Sequence, residues 1–171
     1  METWDAIRSR RNVREYQDRP IPPEHLDRIL EASRRTPSSQ NLQRWEFVLV
    51  TDRERLRELS GVWRGAGHVG RAAAAIALLA PETADGREAT SIHYDLGQAT
   101  MSIMLAAADL GVGSSHAGVA DRGLAQRVLG HPEDRSCRWI VALGYPKDRP
   151  LKPVERPDRR PFEDVVRRER W

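Results

Sequence analysis

Cysteine, lysine and long apolar runs are all scarce in this chain, and each shortage excludes something. A single cysteine, Cys137, rules out an intrachain disulfide. It lies in the apolar stretch CRWIVALG, which reads as a buried strand and makes the thiol packing material rather than a nucleophile. No apolar run reaches the ~20 residues of a membrane span, and the longest, Ala72 to Ala80, has the length of a strand or core helix. The N-terminal METWDAIRSRR lacks the apolar stretch of a secretory signal, so a cytoplasmic location is expected. Five scattered histidines offer no pair at ligand spacing on one helix face, and no metal site is expected. Neither a Gly-x-Gly-x-x-Gly turn after a first strand nor a Gly-Lys-Ser/Thr phosphate loop occurs, which removes two common nucleotide folds. Only 2 of the 28 basic residues are lysine, a bias that genomic composition explains as well as chemistry does.

What is present is an ordinary globular composition: 171 residues, 39% hydrophobic and 31% charged. That is one domain able to bury about 70% of its unfolded surface. The net charge of +3 is uneven. Residues 1–45 hold nine arginines against seven acids, residues 146–171 nine bases against six acids, and the middle ten against twelve. The two basic ends fit either a nucleic-acid surface or convergence on one phosphate-bearing ligand. Excesses of two and three are too small for a strong polyanion claim, and the basic groups lack interleaved aromatics.

Periodicity predicts the elements. Thr3 is positioned to cap a short helix through Arg10, and residues 12–22 are extended. Pro23 opens a helix with a Leu26, Ile29 and Leu30 stripe, which Pro37 ends. Trp45 to Thr51 alternates as a strand, and Thr51 to Glu54 is a capping-box pattern for a helix to about Gly61. Four glycines between Gly61 and Gly70 suggest a mobile loop. Ala72 to Ala80 is a buried strand or short helix, and Glu82 to Ala89 a polar loop. Ser91 to Leu110 is the longest helix, apolar around so much of its circumference that it is central or packs on a partner chain. Gly111 stops it, and VGSSHAG is a turn or short strand. Asp121 caps a small helix ending at Gly130, and Ser136 to Leu143 is the last strand. The proline-rich remainder reads as an extended arm. The order implies an α+β fold with helices around a modest sheet.

Four segments in this order resemble the nitroreductase family of flavin mononucleotide (FMN) enzymes: IRSRRNVREYQDRPIP, TPSSQNLQRWEFVLVTD, DLGQATMSIMLAAADLGVGSS, and ALGYPKDRP with the terminal RRPFEDVV. The resemblance implies an α+β sandwich with helices around a mostly antiparallel sheet, in an intertwined homodimer with FMN at the interface. Residues 1–146 would be the FMN-binding domain and residues 147–171 an arm of the same domain wrapping the partner. It also implies ping-pong hydride transfer from NAD(P)H through flavin N5 to a nitroaromatic, quinone or related electrophile, with no catalytic side chain. Two other functions stay open at this stage. One is a flavin- or deazaflavin-binding protein without such turnover; the other is a small nucleic-acid-binding protein. The reading taken forward has a small-molecule electron acceptor, no nucleic acid and no membrane.

The resemblance assigns Arg10, Arg11 and Arg14 to the FMN phosphate and ribityl chain, a task for which the planar guanidinium fork is suited. Asn12 stands where the family commonly has serine. Pro37, Ser38, Ser39 and Asn41 match the loop that borders the flavin from the other subunit, with Gln43 and Trp45 as its framework and Arg44 replacing a common proline. Gly113 and Ser114, followed by Ser115, match a turn near the flavin ring where a backbone amide approaches N5. Arg159 and Arg160 both match a terminal basic position reaching the phosphate. Taken alone, these residues also read as a solvated helix end, a Ser-stabilised turn and a helix stop. Gly61 to Thr90, shorter than the family's usual insertion, implies an open pocket or a mobile lid.

Overall fold

The computed structural model describes all 171 residues. Helix α1 (Thr3–Ser9) starts after Glu2 with no side-chain cap, so Thr3 lies inside it instead of capping it. Helix α2 (Pro23–Arg34) begins with proline at its first position, where a missing N–H costs nothing. Strand β1 (Glu46–Val50) leads to α3 (Arg53–Leu59), capped by Asp52, whose carboxylate accepts from the Arg55 amide at 2.9 Å. Strand β2 (Ala74–Pro81) resolves the strand-or-helix ambiguity of the alanine run.

Helix α4 (Gly86–Asp109) starts five residues earlier than the expected Ser91, because Asp85 caps it through the Arg87 and Glu88 amides at 2.8 and 3.1 Å. The expected loop at Glu82–Ala89 is therefore shorter than predicted. Strand β3 (Gly113–Gly118), α5 (Arg122–Leu129) and β4 (Arg135–Gly144) follow, and the arm contains one further turn of helix, α6 (Phe162–Val165).

The sheet runs β1-β2-β4-β3 with every pair antiparallel. Strand β2 lies inside it and is covered on both faces, which explains an unbroken apolar run where a half-exposed strand would alternate. Ile76 and Leu78 face α2 and α4, packing with Ile29, Leu96 and Ile103. Ala75, Ala77 and Leu79 face the opposite way, with Leu56 and Leu59 of α3 and Val128 of α5. The result is three layers, helices on each side of one sheet. Leu78 is fully buried, so Leu78→Ala should cost about 2–5 kcal/mol, read as a fall in the urea unfolding midpoint.

Two features position the site. Gly113 and Gly144 face each other across the β3–β4 ladder. A Cβ on Gly113 would stand 2.7 Å from Val13, and one on Gly144 2.7 Å from the Tyr16 ring. The extended segment after α1 thus lies on a patch of sheet kept bare by this glycine pair, and the Tyr16 hydroxyl donates to the Val13 carbonyl at 2.6 Å. The arm then runs back along the same segment: the Lys147 amide donates to Glu15, the Val154 amide to Arg8, and Arg8 pairs with Glu155 at 2.6 Å.

The glycine-rich stretch Gly61–Gly70, expected as a mobile loop, is packed against the body of the fold. Val62, Ala66, His68 and Val69 are buried, and the Val62 carbonyl accepts from the Ala120 and Asp121 amides. Three of its four glycines serve close packing, since a Cβ on Gly61, Gly65 or Gly70 would crowd Leu124, Trp63 or Ser60, while Gly67 stands in open space.

Candidate functional site

The arginine cluster divides on folding. Arg11 turns to the arm, pairing with Asp148 at 2.7 Å and donating to the Arg149 carbonyl. In this arrangement Arg11 ties the arm to the segment after α1 and, unlike Arg10, has an acidic partner. Arg10 donates to the Asn12 side-chain oxygen at 3.1 Å and has no carboxylate partner. Burial, and after it the charge of Arg159, holds the Arg10 guanidinium below its ordinary pKa. Arg159 therefore stands near Arg10, while Arg160 donates to the Asp164 carbonyl within α6. Arg14 and Arg159 also lack acidic partners. Like charges brought together without a counter-ion are unfavourable alone and are relieved by an anion placed between them.

Gly113 and Ser114 do not themselves line a cavity; the lining begins two residues further on, at His116. Gly113 and Ser114 are buried, with Val13 filling the space beside Gly113, so they support the arginine segment instead of lining a cavity. The lining residues are His116 to Ala120, together with Asn12, Arg14, Trp63 and Trp139, around about 420 Å³. The Val13 amide bonds to the Ser114 carbonyl and the Val119 amide to that of Arg138. By strand alternation, the backbone groups of Ser114, His116 and Gly118 therefore face the outer edge of β3. Only Ser114 has a strand partner there, Asn12. His116 and Gly118 present main-chain groups to the cavity. A second cavity of about 290 Å³ shares His116 and Trp139 and adds Arg10, His93, Gly97, Thr100 and Met101.

The serine loop lies elsewhere. Pro37, Ser38 and Ser39 line a groove of about 680 Å³ with Arg87, Thr90, Ser91, Tyr94, Asp95 and Gln98 of α4. Within one chain it does not meet the arginine cavity. Gln40, Asn41 and Gln43 all have positive φ, near 50°, a region that costs non-glycine residues of order 1 kcal/mol or more each. The surroundings hold this shape. Both oxygens of buried Asp95 accept from the Ser39 amide at 3.1 Å, Ser38 Oγ accepts from the Gln43 amide, and Thr36 donates to Ser102. Gln43 donates its side-chain amide to the Asn41 carbonyl, acting as framework. Trp45 is buried in the core.

Sequence reasoning missed Asp95, Trp63 and Trp139. Asp95 carried a signal: it falls on the apolar stripe between Ile92 and Ala99, where a carboxylate needs a buried donor.

Two imidazoles lie close to β3: His116 lines the cavity, and His68 is buried against the Ser115 carbonyl. His68, whose Nε2 is 3.4 Å from the Ser115 carbonyl, is pushed below its ordinary value of 6.5 chiefly by burial. His116 is lowered by burial, then by Arg10 and Arg14. His116 is exposed, so solvent screens its shift and the pH dependence rests on His68: folding favours its neutral imidazole, and unfolding lets it take up a proton below 6.5. This stability is present above that pH and is lost as pH falls through the folded value. The urea midpoint should accordingly fall as pH is lowered below about 6.5, and His68→Gln should flatten the dependence. An unchanged slope would remove His68 from the account.

A sequence profile described as the nitroreductase family matches residues 7–83. A protein of Archaeoglobus fulgidus, provisionally named NADH dehydrogenase/NAD(P)H nitroreductase, is 36% identical over 99% of this chain and 99% of its own. The Bacillus subtilis protein named FMN reductase (NAD(P)H) is 28% identical over 80% of this chain and 68% of its own. Among solved structures, an FMN-dependent nitroreductase from Clostridium difficile R20291 superposes with a TM-score of 0.84 at 27% identity, covering 97% of this chain and 98% of the other.

Proposed function

Because the chain belongs to the nitroreductase family, we propose the following roles for its residues in NAD(P)H-dependent flavin oxidoreductase chemistry. The protein is an FMN-using oxidoreductase of this kind, and the observation that carries the assignment of its site is the Arg10–Arg159 pair without a carboxylate. FMN, when bound, supplies the N5 atom that accepts and returns a hydride.

Everything else falls to the chain. Arg10 and Arg159 hold the phosphate, with Asn12 fixing the Arg10 fork. The free main-chain groups of His116 and Gly118 give the ring edge hydrogen-bond partners, a role that sequence matching had placed at Gly113 and Ser114. Arg14 contributes positive charge to the cavity, favouring negative charge that develops on a bound ring. Trp63 and Trp139 shield the cavity from water. No side chain is required as nucleophile or general base, and the electron acceptor is a nitroaromatic, a quinone or a related electrophile.

The functional unit is a homodimer in this reading. The arginine cavity and the Ser38–Ser39 groove are separate in one chain, so a ligand touching both needs two. Apolar side chains also stand exposed on α1 (Trp4, Ile7), α4 (Met101) and the arm (Phe162, Val165, Trp171), more than a lone chain would leave in water. Residues 1–146 then form the FMN-binding domain, and residues 147–171, anchored to Arg8 and Arg11 of their own chain, extend onto the partner. No helix is long and apolar enough to cross a membrane, and we assign the protein to the cytoplasm.

Purified protein reconstituted with FMN should be yellow, sediment as a dimer and lose its flavin absorbance anaerobically on adding NADH or NADPH. A colourless protein after reconstitution would overturn the assignment.

A further inference from the structure

The groove beside Ser38 contains more than a turn needs. Arg87 and Tyr94 both border it, seven residues apart and so on one face of α4, about 10 Å apart along its axis. Tyr94 is 71% exposed. Arg87 is exposed and has no carboxylate partner, although acids are near: Glu88 is taken by Arg44 at 3.5 Å and Thr83 at 2.6 Å, and Asp95 by the Ser39 amide. The carboxylates around the groove are thus occupied, and its one guanidinium is not. Hydroxyls from Ser38, Ser39, Thr90 and Ser91, with the Gln98 amide, complete a polar rim.

We propose that this groove is a substrate subsite for a planar ring bearing an anionic group, with Tyr94 as the ring platform and Arg87 as the anion-binding residue. The inference rests on the oxidoreductase reading, in which Ser38 and Ser39 border the flavin and therefore bring this groove to the reacting substrate. A tyrosine face accepts an aromatic ring by offset stacking. An arginine two turns away, with its long stem, reaches an anion attached to that ring directly or through a short linker. Two sources present this chemistry: the adenosine 2′-phosphate end of NADPH, and an aromatic acid serving as electron acceptor.

The experiment compares charged and neutral members of each pair. With FMN-loaded protein, kcat/KM is measured for NADPH against NADH, and for 4-nitrobenzoate against 4-nitrobenzyl alcohol. Arg87→Gln should lower the charged-over-neutral preference about five- to tenfold in one pair, which identifies the source. Tyr94→Ala should raise KM for both members of that pair, with kcat less affected.

Calorimetric titration of oxidised, FMN-loaded protein with adenosine 2′-phosphate and with 4-nitrobenzoate, with no reductant present, provides a readout independent of turnover. One of the two should bind, and Arg87→Gln should weaken it by the same factor. An unchanged preference in both pairs would overturn the proposal, as would equal losses for charged and neutral members. So would a Tyr94→Ala chain that sediments as a monomer while Arg87→Gln behaves like wild type, since Tyr94 would then be an interface residue. Failure of wild-type protein to take up FMN is a separate result that removes the oxidoreductase reading itself.

Discussion

Arg10→Ala should weaken FMN binding by roughly thirtyfold, the loss of about 2 kcal/mol expected for a charge-assisted hydrogen bond to phosphate. Arg159→Ala should do the same, whereas Arg160→Ala should shift the affinity by less than about twofold, because Arg159 and not Arg160 is the charge felt by Arg10. Quenching of flavin fluorescence measures all three. Riboflavin sharpens the test, since it lacks the phosphate: wild type should prefer FMN strongly, and Arg10→Ala should erase most of that preference. The cause is electrostatic. Burial, and after it Arg159, already disfavours the charged form of Arg10 in the free chain, and a dianion between the two guanidinium groups converts repulsion into two attractions. A variant that lost FMN and riboflavin equally would show that Arg10 shapes the fold rather than binding phosphate.

A larger loss of structure is expected at the bare patch. Gly113→Val places new carbon where Val13 already stands at 2.7 Å, and overpacking of this kind costs about 1–3 kcal/mol. The segment that must move carries Asn12 and Arg14, so FMN affinity should fall together with the thermal midpoint. Gly144→Val, opposite Gly113 in the ladder and against Tyr16, should have a similar effect. Both substitutions dislodge one segment, so the double variant should be less destabilised than the sum of the singles. Strict additivity, or a Gly113→Val protein with wild-type midpoint and FMN affinity, would contradict the packing described.

Local chemistry made much of the fold legible. Pro23 at the head of α2, alternation in β1, the alanine run of β2 and Gly111 behind α4, where φ is +70°, all act over a few residues. The start of α4 was hidden because Gly86 to Ala89 has no apolar periodicity, although Asp85 followed by Glu88 carries a cap signal. The site was legible to the extent that its residues act through charge: the basic ends do converge, Arg10 on Arg159. What stayed hidden depends on distant contacts. Arg11 cannot be told from Arg10 without Asp148, 137 positions away. Gly113 suggested close approach to a ligand, yet the group approaching it is Val13, and the open part of the edge begins at His116. Asp95 needed the Ser39 amide, 56 positions away, to explain a carboxylate in a core stripe.

Helix α4 borders both grooves, with His93, Gly97 and Thr100 on one side and Arg87, Tyr94 and Asp95 on the other. In the two-fold assembly proposed above, each copy of this helix would be a wall common to two equivalent sites. A shift along its axis at one site would change the dimensions of the other. Occupancy at the first site would then affect the second through a single rigid rod, and the two flavins of a dimer need not titrate as independent centres.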